Sequence, residues 1–352
     1  MRNFYIGGIP ALLFSGYIAH LFGWNIAFAV AAAGLIIAGV TYTTFRGFLN
    51  NVGNHFDQQK YMNTKITLVT LVSIVTIVAS YFLLRHQKLT DVIAVVATVS
   101  IFTYIMYLAT KFSQTEKKRL FGVVILMLLA IIFWSFYYQQ PTSMVMFVDR
   151  NVDHHFFGVF IPSSSFWVFN PIWILTLGPG LSYIYLKLNH RDPSIATKFA
   201  LGLLIMSFGY FILTISTHFA NNNAQVAGWW VVGSYGFQGC AELLINALGV
   251  GMVAKLVPER IVGLMIGAWW FTGTLGSLLA GKLADISAVT DNIIDPHETL
   301  LVYSHSFSIY GWICFVIGVF ALALVPMLKR LLNAKKAMVG TVAKIDPVVP
   351  YS

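Results

Sequence analysis

The sequence predicts an all-α polytopic membrane protein, and three observations carry that prediction. Hydrophobic residues make up 58% of the 352, charged ones only 10%, and the mean hydropathy is +0.76. A soluble domain of this size carries roughly a quarter charged residues. Ten stretches reach the about 20 apolar residues that a helix needs to cross a bilayer, at approximately 4–21, 25–45, 65–84, 91–110, 120–140, 166–187, 198–218, 226–255, 261–284 and 306–328. The basic residues, finally, fall in alternate loops.

That alternation sets an expected topology. With ten spans both ends lie on one side, whose loops and tails hold eighteen Lys and Arg residues. The other side holds only Arg85, Lys88, Arg150 and Lys282. The positive-inside rule makes the basic side cytoplasmic. The net charge of +9 is thus explained by membrane topology, and no nucleic-acid partner is expected. Cys240 and Cys314 both fall inside apolar spans without pairing or ligand spacing and are read as packing residues.

In chain order, the first span resembles a signal peptide after Met1-Arg2, but another span follows at once without a convincing cleavage site, so 4–21 is read as retained. The second span carries small residues (Ala31, Ala32, Ala33, Gly34, Ala38, Gly39) that let membrane helices approach closely. Spans three and four are rich in Val, Ile and Thr, with neither Gly nor Pro. They are read as a peripheral hairpin facing lipid.

The fifth span ends in Phe133-Trp134-Ser135-Phe136-Tyr137-Tyr138-Gln139-Gln140-Pro141. Two readings stand there, an interfacial aromatic belt or the lining of a cavity or gate. His154 and His155 follow in a loop expected to be solvated, since adjacent histidines rarely converge on one ion. Span six carries Asn170-Pro171-Ile172-Trp173 and then Gly178-Pro179-Gly180, where a kink or broken turn is expected. Asn170 either caps this helix or hydrogen-bonds a polar ligand.

The eighth and ninth spans hold the densest small-residue pattern, with Trp269-Trp270 in the ninth. For one of that pair, packing is the expected role. Glu242 lies near the middle of the eighth span, between Val231–Cys240 and Leu243–Val253. A carboxylate at bilayer depth costs a few kcal/mol or more and so faces a partner or a water-filled cavity. Without a cation, such a group is a candidate proton carrier. No catalytic constellation is present, so the protein is not expected to be an enzyme.

These residues resemble one family. Glu242-Leu243-Leu244 with Gly249, Met252 to Pro258, and Gly263 to Trp269 are similar to the tenth and eleventh helices of the proton-dependent oligopeptide transporters of the major facilitator superfamily. Phe133-Trp134 with Gln139, Phe157-Gly158 to Ile161-Pro162, and Asn170-Pro171-Ile172-Trp173 resemble that family's seventh and eighth helices. Lys198-Phe199-Ala200 and Ser234-Tyr235 favour the bacterial di- and tripeptide permeases.

The resemblance implies a major facilitator-like fold of ten transmembrane helices. Residues 1–46 would be the last two helices of the N-terminal bundle, and 47–119 a linker with an inserted hairpin. A complete six-helix C-terminal bundle would occupy 120–330, and a basic cytoplasmic tail 331–352. Helices one to four would be missing, and the chain is therefore expected to be N-terminally truncated. Ile9 stands where the family usually has Asn, and Tyr138 where it often has an acid.

The implied function is proton-coupled symport of di- and tripeptides across the bacterial inner membrane, with protons as coupling ion and no cofactor or metal. The alternative is a non-transporting remnant or a membrane partner protein. Glu242 and Asn170 would hold the peptide's amino terminus, Trp134 and Trp269 would wall the pocket with Tyr138, and Glu242 would also respond to protons.

Overall fold

The computed structural model describes residues 2–45, 47, 62–156, 158–289 and 295–332. The expected basic tail from 333 onward and most of the loop before the hairpin lie outside the described residues. Every expected span is helical: α1 (Arg2–Phe22), α2 (Trp24–Phe45), α3 (Met62–Arg85), α4 (Gln87–Thr110), α5 (Gln114–Tyr137), α6 (Val145–Asn151), α7 (Phe169–Leu188), α8 (Ile195–Ser216), α9 (Trp229–Leu256), α10 (Val262–Ala284) and α11 (Pro296–Leu332). Short α6 prolongs the line of α5. A two-stranded hairpin, β1 (His155–Phe156) and β2 (Val159–Phe160), lies between α6 and α7.

The chain forms two compact units. One runs from Ile18 to Ala97, and the other comprises the described residues up to Tyr17 and from Thr98 onward. In the smaller unit, α3 turns sharply into α4, and Thr90 Oγ1 donates to Leu83 O at 2.6 Å across the turn. The span of α3 buries none of its residues. Its Val, Ile and Leu side chains are an apolar face of the kind that lipid covers.

The larger unit is packed through small residues. On α11, Gly318 lies against Leu204 of α8 and Gly311 against Phe211, so closely that a β-carbon at either would fall within 3.0 Å of those side chains. Cys314 between them donates to Leu203 O at 3.3 Å. Both cysteines are free and set in helices, Cys314 fully buried, as packing residues would be. Between α8 and α9, Gly202 receives Ile245, and Gly209 meets the Ser234 carbonyl. These are the close backbone approaches that membrane helices use in place of a hydrophobic driving force.

Local chemistry fixes where α5 begins and ends. Ser113 and Glu116 form a reciprocal capping box that satisfies the first free N–H groups. At the other end Pro141 has no N–H to donate, so the ladder widens into a π turn, Gln140–Met144, closed by Met144 N to Gln139 O at 2.9 Å. The glycines around Pro179 do not break α7, which is one continuous helix with the proline inside it. An isolated proline costs one hydrogen bond, and at this position the helix absorbs that loss without interruption.

Candidate functional site

Glu242 is 4% exposed, inside the larger unit. Tyr5 of α1 donates its hydroxyl to Glu242 Oε1 at 2.6 Å, and Asn246, one turn along α9, donates Nδ2 to the same oxygen at 3.3 Å. Tyr137 and Asn170 also lie against this carboxyl, and Tyr138 is near enough to interact with its charge. Among the described residues, no Lys or Arg pairs with it. Glu242 Oε2 and Asn170 Nδ2 are both buried and both lack a hydrogen-bond partner there. A buried polar atom without a partner costs about 1–3 kcal/mol, so one acceptor and one donor side by side are suited to a polar ligand.

Of the two readings of Asn170, the capping one fails. Val168 holds the cap position of α7 and makes no side-chain bond, while Asn170 lies inside the first turn and is 1% exposed. The helix start therefore aims the amide at Glu242 instead of at its own backbone.

The aromatic end of α5 is not an interfacial belt. Phe133, Trp134, Phe136 and Tyr137 are buried, and so are Gln139 and Gln140. The two glutamines reach across to neighbouring helices. Gln139 donates to Ala280 O at 2.9 Å, tying α5 to α10, and Gln140 donates to Gln238 Oε1 at 2.9 Å, tying it to α9. Their amide N–H groups make helix crosslinks, as interhelical amides do in membranes, while Gln140 Oε1 stays buried without a partner among the described residues.

Trp134, Tyr138 and Trp269 do meet. With Trp270, Gly273, Thr274 and Ser277 they line a cavity of about 260 Å³. Trp134 and Tyr138 stack at 5.6 Å, and the Tyr138 hydroxyl lies over Gly273, where a β-carbon would approach it to 3.3 Å. Small-molecule pockets begin at about 300 Å³, so this one is sized for a side chain. Trp269 is 1% exposed and Trp270 63%. Trp269 lies flush on Gly249 and edge-on to Phe199, so its packing role is real alongside its place in the wall.

The structure thus forms two adjoining parts: the polar cluster of Glu242, Asn170, Tyr137, Tyr5 and Asn246, and an aromatic cavity. The end of α5 contributes to both. The sequence assigns no site role to Tyr5 or Asn246, and places Tyr137 only in a run that lines a cavity or gate or forms a belt. Asn246 is legible, because residues four apart share a helix face. Tyr137 lies in the aromatic run. Tyr5 is 237 residues from its partner, and nothing local marks it. His154 is a correction: instead of lying in water it is packed between two carbonyls and stacked on Phe160. No His, Cys, Asp or Glu cluster able to hold a metal is found among the described residues.

A second cavity, about 890 Å³, opens between the start of α5 and the α9–α10 turn, lined by Glu116, Arg119, Lys255, Glu259 and Arg260 among others. Its charges partly answer one another, with Arg260 3.4 Å from Glu116.

The family model described as PTR2, POT family, matches residues 3–313. Dipeptide and tripeptide permease B of Salmonella typhimurium is 32% identical over 330 residues, covering 93% of this chain and 68% of the relative. Permease B of Shigella dysenteriae is 34% identical over 335 residues, covering 94% and 68%. Dipeptide and tripeptide permease A of Chromobacterium violaceum is 32% identical over 326 residues, covering 93% and 66%. The chain therefore spans about two thirds of the length of these relatives. Among solved structures, tetrameric PepTSo2 superposes with a TM-score of 0.79 at 26% identity, covering 94% of this chain and 70% of that one. A structure described as giving insights into substrate recognition in proton dependent oligopeptide transporters superposes at 0.78 with 28% identity, covering 94% and 69%. The matched family model covers most of the chain, including both parts of the site, and this chain belongs to the POT family.

Proposed function

We propose that the protein carries di- and tripeptides across the bacterial cytoplasmic membrane, with protons moving in the same direction and both termini in the cytoplasm. The observation that carries this reading is the pair of unpartnered buried atoms, Glu242 Oε2 and Asn170 Nδ2. A peptide amino terminus brings three donors and a positive charge, which Glu242 Oε2 accepts, and the first peptide carbonyl accepts from Asn170. Charge-assisted hydrogen bonds of this kind are roughly twice as strong as neutral ones. The aromatic cavity of Trp134, Tyr138 and Trp269 then takes a side chain. Aromatic walls accept many side chains by area alone, which suits a carrier that does not read sequence.

Proton coupling is assigned to the same carboxyl. With no Lys or Arg paired to it among the described residues, Glu242 is held by neutral groups, with Tyr5 and Asn246 donating to it and Tyr137 and Asn170 against it. A protonated Glu242 would be neutral and would release the peptide ammonium.

The test compares a labelled dipeptide with its N-acetylated form in liposomes holding the purified protein. Acetylation removes the ammonium, and uptake is expected to fall at least tenfold, the cost of about one charge-assisted hydrogen bond. Equal uptake of both forms would overturn the amino-terminal role of Glu242.

A further inference from the structure

His154 lies in the short link between α6 and β1, half-buried, with both ring nitrogens engaged. Nδ1 is 2.9 Å from Ile161 O and Nε2 is 3.1 Å from Val148 O. Both neighbours are backbone carbonyls, which only accept. A neutral imidazole has one N–H, so in either tautomer one of these contacts sets a lone pair against a lone pair. The imidazolium has two N–H groups and satisfies both. Val148 O is among the last carbonyls of α6, which have no donor within the helix. The ring also stacks on Phe160 at 5.3 Å and 11°, an arrangement that favours a cation over an aromatic face.

We propose that His154 is a proton-operated clip: its imidazolium pins β2 to the end of α6, and loss of the proton loosens this loop. The titratable and charged groups around it are few. Asp153 adjoins it and bonds to His155, Asp149 accepts from Ser163 at 2.9 Å, Arg150 leans toward Tyr303, and Tyr17 of α1 donates to Phe160 O. None of these supplies an acceptor to a His154 ring nitrogen. The Asp153 carboxyl is held below the usual range mainly by the His155 N–H, so it stays ionised beside the imidazolium over the physiological range.

The clip reaches the site through α1. The outer end of α1 rests on this loop: Ser165 Oγ donates to Leu13 O at 3.1 Å, and Gly16 lies so close to Ser165 that no β-carbon fits between them. Tyr5, which holds Glu242, is twelve residues from Tyr17 on the same helix, about 18 Å. Protonation of the loop thus bears on the helix that contacts the buried carboxyl.

The inference goes beyond the transport reading, and its test needs no transport. The readout is amide exchange of Ile161, whose N–H donates to His154 O at 2.9 Å, in protein held in nanodiscs. Imidazolium is lost as pH rises, so protection should be present in acid and fall roughly tenfold or more in alkali, beyond the intrinsic pH effect. His155→Gln should keep that dependence and His154→Gln should abolish it. An unchanged dependence in His154→Gln, or none in the unaltered protein, would overturn the clip. Should His154→Gln fold poorly, ¹⁵N spectra of the unaltered protein decide: protection lost while His154 still carries both ring protons would overturn it equally.

Discussion

At the residue scale, Glu242 depends on the hydroxyl that holds it. Tyr5→Phe removes the 2.6 Å bond to Oε1 and leaves the ring. A bond to a charged group contributes about 1.5–3 kcal/mol, so uptake of a labelled dipeptide should fall roughly tenfold or more while insertion into the membrane is unchanged. Uptake at the unaltered rate would show that Tyr5 is only a neighbour. Glu242 was legible because a lone acid in the middle of an apolar span has so few structural excuses. Tyr5 was not, since its importance exists only once two helices 237 residues apart are brought together. Asn170 was half legible: its place beside Pro171 marked a helix start, but only the geometry separates a cap from an inward-facing amide.

At the element scale, the packing glycines make distinct predictions. A β-carbon at Gly249 would lie 1.9 Å from the Trp269 ring, whereas one at Gly251 meets nothing within 4 Å. Overpacking costs about 1–3 kcal/mol. Gly249→Ala should therefore lower the melting temperature in detergent and displace the Trp269 wall, with loss of uptake, and Gly251→Ala should do neither. Gly276→Ala should act like Gly249→Ala, because its β-carbon would come 2.3 Å from Trp134 Cβ. The sequence showed that these helices pack closely but not which glycine touches what.

The glutamines after α5 illustrate a different limit. Their polarity suggested the lining of a cavity or gate, yet both donate across to neighbouring helices, Gln139 to α10 and Gln140 to α9. Composition cannot separate an amide facing water from one facing a carbonyl. Gln238→Ala should strand Gln140, which donates to it at 2.9 Å, and destabilise the fold by about 1–3 kcal/mol, read as a drop in thermal midpoint.

At the scale of the whole molecule, span count and helix boundaries were largely legible, because a membrane imposes length and apolarity that survive in any one sequence. The exception is the loop after α6. Both its histidines read as solvated, and His155 is exposed, but no periodicity reports that the His154 side chain folds back onto backbone carbonyls. That loop also responds to acid through Asp153. A carboxyl whose folded-state pKa is depressed contributes stability above its unfolded pKa, which is lost as pH falls through the folded value. Because Asp153 is half exposed, solvent screens the effect and it is small. Asp153→Asn should remove this acid-side loss of loop protection in amide exchange, whereas the His154 contribution runs the other way and is lost as pH rises.

The central claim is that one buried carboxyl both holds the peptide and carries the proton. It is tested most directly by uptake of a labelled dipeptide into liposomes, with and without an inward proton gradient, for the unaltered protein and Glu242→Gln. The account expects gradient-driven accumulation by the unaltered protein and its loss in a correctly inserted variant. Accumulation by Glu242→Gln equal to that of the unaltered protein would contradict it.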